Sequence, residues 1–218
     1  MRYFKKTIVA ILAVVVVTIT FYNQYSSLKK DIKSTAEAKE ALISRYIDLS
    51  KGFIDMMAIY SSDYFRHSIS KDADLYSLLT YNSEFNTYNL DAIAGTGAQK
   101  NAGNLTGMGT IPDSGVYRDE MNMALELNRH FASIYNKIPD IAWVYYTSRN
   151  NFINIYPWVS SNEFSFKEDL KAEKFFTYAA PENNPLRDSV WTPVYVDHAG
   201  KGLMVTLSSP VYNGDVFM

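Results

Sequence analysis

An uncharged run near the N-terminus limits what this chain can become more than any other feature. Arg2, Lys5 and Lys6 precede Thr7–Tyr22, sixteen residues without charge, proline or glycine. A helix crossing a bilayer needs about 17–25 apolar residues, and Tyr3, Phe4 and Tyr25 can extend the run into the interfaces. A cleaved signal peptide and a retained anchor both start this way. A cleavage site needs small residues at the exit of the run. The exit here is TITFYNQY, which is bulky and favours the anchor. The positive flank then keeps residues 1–6 in the cytoplasm, places the span at 7–24, and puts the rest outside.

A long helix is expected over Ser26–Arg66, so that residues 25–66 read as a stalk. Leu28, Ile32, Thr35, Lys39, Leu42, Tyr46, Leu49, Phe53, Met56 and Tyr60 alternate steps of four and three, the heptad period. Eight of these ten are apolar or aromatic, which calls for a buried stripe. Packing on its own domain and pairing with a second copy both meet that need, and both stay open.

Residues 67–218 carry the folded part. Leu75–Phe85 reads as a short helix and bend. Ala94–Gly115 holds six of the ten glycines and reads as a loop. It is no phosphate loop, because no Lys-Ser/Thr follows the glycine pairs. Asn104-Leu-Thr106 matches a glycosylation acceptor, relevant only in a eukaryotic secretory pathway. Asp113 or Ser114 can cap a helix over Val116–Tyr135. Ile141–Thr147 and Phe152–Tyr156 read as a hairpin turning at Ser148–Asn151. A short helix is expected around Lys167–Tyr178, then a loop over Pro181–Asp188.

Trp191–Tyr212, WTPVYVDHAGKGLMVTLSSPVY, reads as a second hairpin with its turn at His198–Gly202. In its first strand Thr192, Val194 and Val196 share one face, expected to pack a core. Trp191, Pro193, Tyr195 and Asp197 share the other, suited to lining a small pocket. The layout is α+β with an antiparallel sheet.

Chemistry is excluded more readily than assigned. A net charge of −2 offers no footprint for nucleic acid, and the absence of cysteine removes disulfides and thiolate sites. His67, His130 and His198 form no metal-binding pattern, and no nucleophile elbow or paired carboxylates stand out. No enzyme activity, metal or cofactor is expected of this segment.

IAWVYYTS (141–148), FINIYPW (152–158), NPLRDSVW (184–191) and the second hairpin, in this order, resemble the distal lobe of double Cache (dCache) sensor domains. These are PAS-like extracytoplasmic modules of bacterial signalling proteins, and the resemblance spans roughly residues 25–218. It implies a periplasmic sensor held in the bacterial inner membrane, with a diguanylate cyclase or histidine kinase output beyond this chain. It also implies a lobe that lacks its final strand and a membrane-proximal partner lobe. The ligand would be a small polar molecule held by Tyr146, within the strand stretch Tyr145–Thr147, and by Tyr156, Trp158, Phe175, Tyr178, Trp191, Tyr195 and Asp197.

A carboxylate among aromatic rings can hold an ammonium group. An aspartate before a turn can equally cap that turn, and both readings of Asp197 stand. Glu173-Lys174-Phe175-Phe176 lies where amino-acid sensors of this type carry Arg-x-Trp-Tyr/Phe. The usual grip on a ligand carboxylate is therefore absent, with Arg149, Lys171, Lys174 and Arg187 as candidates to replace it. A protein-interaction module without a small ligand is the alternative.

Overall fold

The computed structural model describes residues 2–67, 73–197 and 199–218, so His198 of the expected turn lies outside the described residues. The chain forms two compact units, one ending at Asp48 and the other running Leu49–Met218.

Helix α1 spans Arg2–Arg66. Its N-terminal part is long and apolar enough to cross a membrane. The hydroxyls of Thr7, Thr18 and Thr20 donate to the carbonyls of Tyr3, Val14 and Val16 at 3.1, 2.9 and 2.8 Å. Each of these three hydroxyls is thus satisfied within its own helix. Further along, Leu28, Ile32 and Leu42 are 58%, 62% and 67% exposed, so among the described residues that stretch of the heptad stripe is bare.

Within the second unit the helix end packs through Phe53, Met57, Ser61 and Tyr64. The expected stripe placed Met56 inward; Met57 is buried instead. An α-helix advances 3.6 residues per turn, and the 3.5-residue pattern drifts off the buried face.

The second unit is built on one antiparallel sheet in the order β1-β2-β3-β5-β4. Strands β1 (Thr80–Asn82) and β2 (Thr87–Asn89) form a hairpin where a helix and bend were expected. Only Tyr76–Leu78 is helical there. The Asn82 side chain accepts from the Glu84 and Phe85 N–H groups at 3.0 and 3.3 Å, and this local capture makes the turn.

Strand β3 (Asn104–Met108) is the larger correction, because it crosses the middle of the sheet inside the expected loop. Gly107 and the preceding Gly103 serve close approach. A Cβ at Gly107 would strike the buried Tyr88 ring, and one at Gly103 would meet the Ile155 carbonyl. Its polar residues have tertiary partners: Asn104 Oδ1 accepts from Leu90 N–H, and Thr106 Oγ1 from Phe166 N–H. Asn104 is fully buried, which removes it as a glycosylation acceptor.

The helix expected over Val116–Tyr135 is split at Leu127 into α2 (Val116–Glu126) and α3 (Asn128–Tyr135). Gly115, at φ 84°, holds the N-cap position instead of Asp113 or Ser114. Strands β4 (Val144–Ser148) and β5 (Phe152–Tyr156) pair as the expected hairpin, but β4 starts at Val144 instead of Ile141 and includes Ser148 of the expected turn. Helix α4 is one turn, Lys174–Thr177, after a 3-10 segment at Glu168–Ala172.

The second hairpin is broken into two short ladders. Strand β6 (Val190–Trp191) pairs with β9 (Leu207–Ser208), and β7 (Tyr195–Val196) with β8 (Leu203–Met204). Strands β10 (Tyr212–Asn213) and β11 (Val216–Phe217) close the chain as a small hairpin.

Sheet register divides the core in two. Val144, Tyr146, Phe152, Tyr156 and Leu105 share the face packed by α2, α3 and the end of α1. Tyr145, Ile153 and Ile155 share the opposite face, packed by Phe166, Leu170 and Phe175. Of the expected core face of the second hairpin's first strand, only Thr192 is buried. Val194 and Val196 are 61% and 67% exposed, while Tyr195 turns toward the second core. There its ring lies 6.1 Å from that of Phe175 on α4, and rings pack well on rings.

Candidate functional site

The second core layer leaves a cavity of about 20 Å³ between the sheet and the second hairpin. Trp143, Tyr145, Phe175, Tyr195, Asp197 and Met204 are among its lining residues. This volume suits about one water molecule. A drug-sized ligand needs roughly 300–1,000 Å³, so a larger guest has to displace part of the hairpin.

The rings are locked to one another. Tyr145 and Phe175 meet edge to face at 5.4 Å between centroids, and Phe175 and Tyr195 lie tilted at 6.1 Å. The Tyr145 hydroxyl donates to Thr206 Oγ1 at 3.3 Å, and the Tyr195 hydroxyl is hydrogen-bonded to the same oxygen at 2.5 Å. Burial, then the neighbouring Tyr195, pushes the Tyr145 phenol well above its usual range, so it stays a neutral donor.

Asp197 does both things read for it. Its Oδ2 accepts the Lys201 N–H at 2.9 Å and so caps the turn. The same oxygen accepts the Trp143 indole N–H at 3.0 Å at the edge of the cavity. The Lys201 ammonium lies 5.0 Å from the centroid of the Trp143 ring.

Of the eight residues expected to hold a ligand, Phe175, Tyr195 and Asp197 line the cavity. Tyr146 and Tyr156 point to the other side of the sheet, because the strand alternates and Tyr145 takes the cavity side. Trp158 also packs against the helix-side core. Tyr178 and Trp191 are 38% and 41% exposed and do not line the cavity. Trp143 went unread as a site residue, although its two-residue offset from Tyr145 places both on one face.

The candidate carboxylate grips lie elsewhere too. Arg187 pairs with Asp215 at 3.1 Å and stacks on Tyr212; Lys171 donates to Asn151 Oδ1 at 2.7 Å; Arg149 donates to the Phe217 carbonyl at 3.2 Å. Lys174 is not among the lining residues.

A second polar cluster sits under the helix face. The carboxylate of Glu120, fully buried on α2, accepts from the Tyr146 hydroxyl at 2.7 Å and the Asn150 amide at 2.6 Å. Burial pushes this carboxyl up, against the opposing pull of the Ser148, Tyr146 and Asn150 hydrogen bonds and of Arg149. A folded-state value above the unfolded one means the folded protein holds the proton more tightly. The associated stability is complete below about 4.5 and is lost as pH rises through the folded value. Glu120→Gln is therefore expected to flatten the pH dependence above 4.5 relative to the parent. Urea midpoints across pH check this, and parallel curves for the two proteins would refute it.

Comparison with family models, curated proteins and solved structures gives no match.

Proposed function

We propose that this chain is the ligand-sensing region of a membrane-anchored bacterial signalling receptor. In this reading residues 7–24 cross the inner membrane, the unit Leu49–Met218 lies in the periplasm, and a cytoplasmic diguanylate cyclase or histidine kinase receives the signal. The observation that carries it is the convergence of the Asp197 carboxylate with the Trp143, Tyr145, Phe175 and Tyr195 rings at one cavity. That constellation favours a small polar guest with an ammonium group, because a carboxylate and ring faces both attract cations. Among the described residues that line the cavity none is cationic, which favours an amine over an α-amino acid.

The test is a thermal-shift screen of the full chain in lipid nanodiscs against small amines, amino acids and other polar metabolites. A true ligand stabilises by about 2.7 kcal/mol at a hundred times its Kd, and Asp197→Asn loses the shift. A flat screen, with Asp197→Asn indistinguishable from the parent, sinks the reading. The small cavity, with the outward Val194, Val196, Leu203 and Val205, favours the second reading, a protein-interaction module without a small ligand.

The partner for the bare stalk stripe is a second copy of the chain. Leu28, Leu42 and Leu49 take heptad position d, and Ile32, Lys39 and Tyr46 position a; Leu at d with Ile at a suits parallel pairs, and a polar residue at a fixes their register. A shared membrane imposes the same parallel orientation. The chain has no native cysteine, so single-cysteine variants report cleanly. Leu42→Cys is expected to cross-link between copies under mild oxidation, and Glu37→Cys, off the stripe, is not. Equal cross-linking at both positions would remove the dimer.

A further inference from the structure

We propose that Lys201 competes with the ligand of this site: it is not among the residues lining the cavity, but its ammonium covers a face of the Trp143 ring, and an organic cation binding to that face must displace the protein's own side chain. This inference rests on the ligand-sensing reading above.

One carboxylate oxygen organises the arrangement. Asp197 Oδ2 accepts the Trp143 indole N–H at 3.0 Å, which orients the ring. It also accepts the Lys201 backbone N–H at 2.9 Å, which places the residue carrying the cation. Glycines flank Lys201 at φ 87° and 91°, a backbone region costly for other residues, and the chain turns back tightly enough to set the ammonium 5.0 Å from the ring centroid. Gly200 and Gly202 have open space where a Cβ would sit, so positive φ, not crowding, is what requires glycine there.

The consequence is a ring face that is already covered while the site is free. An external ammonium and the Lys201 ammonium cannot share one ring face, because like charges repel. Lys201 is exposed, and its long stem can release the ring into solvent without moving the backbone. A cation–π contact at an exposed position is weak, so its removal is expected to tighten binding of an external cation about two- to fivefold. Arginine stacks on aromatic faces better than lysine, and so Lys201→Arg shifts affinity the opposite way.

The experiment uses the full chain in nanodiscs, labelled with 5-fluorotryptophan. The three tryptophans give three fluorine signals, and Trp143→Phe assigns the relevant one. Choline is the cationic probe and 3,3-dimethyl-1-butanol its neutral counterpart of the same shape. Choline is expected to shift the Trp143 signal, with a Kd that falls in Lys201→Met and rises in Lys201→Arg, while the neutral probe leaves the signal in place. An identical choline Kd in all three proteins overturns the competition yet leaves the ligand site standing. Equal binding of the neutral probe overturns the cation preference. An unmoved Trp143 signal in all three overturns both the competition and the site.

Discussion

Replacing Phe152 by alanine is expected to cost the globular unit about 4 kcal/mol, the range for deleting a buried aromatic ring. Phe152 is fully buried at the start of β5. Its ring lies 6.0 Å from that of Tyr117 and 5.8 Å from that of Tyr146, so it joins α2 to the sheet. Tyr117 in turn shares a hydroxyl hydrogen bond of 2.5 Å with Tyr88, and Tyr146 donates to Glu120. These hydrogen bonds hold the neighbours in place and keep the void from closing. A whole domain is stable by only about 5–15 kcal/mol. Urea unfolding reads the result as a large fall in midpoint with an unchanged slope. A loss below about 1 kcal/mol would mean that the aromatic cluster relaxes freely and does not hold α2 on the sheet.

Gly103→Ala is the second large effect, expected at about 3 kcal/mol, the upper part of the usual range for overpacking. The new methyl group would collide with the Ile155 carbonyl, whose carbon would lie 2.8 Å away, and with Asn154 Oδ1 at 2.9 Å. Backbone of a central strand cannot swing aside as a side chain does. Gly103 N–H also donates to Asn128 Oδ1 at 2.9 Å, and Asn128 accepts from Asn154 at 3.1 Å, so a shift disturbs a buried amide network. The cavity lies on the same strand, through Ile153 and Ile155. Gly103→Ala is therefore expected to weaken ligand binding as well as lower the urea midpoint. Unchanged stability would show that β3 and β5 can separate locally, and would remove the reason given for glycine here.

Strands β4 and β5 were legible because local alternation reports them directly: Val144, Tyr146 and Ser148 face one core, Trp143 and Tyr145 the other. The pocket-facing side of Tyr195 and Asp197 was legible for the same reason. Strand β3 was not. Gly103, Gly107, Asn104 and Thr106 carry the composition of a loop, and no local pattern separates a glycine needed for close approach from one needed for a turn. The partners that make β3 a strand, Tyr88, Leu90, Ile155 and Phe166, lie 14 or more residues from the residues they contact. Alternation also says that two faces differ without saying which one is buried. The hairpin shows this, with Val194 and Val196 outward and Tyr195 inward.

Short-range physics thus settles the apolar helix, the strand periodicities and the pairing of aromatic rings with an acid on one hairpin face. Hydropathy, side-chain alternation and turn preference act over a few residues and need no knowledge of the rest. Long-range packing decides that a glycine-rich stretch completes the sheet, that Tyr145 and not Tyr146 meets the cavity, and that Trp143 reaches Asp197. Each of these depends on register and close contact between distant segments, and those exist once the layers have come together.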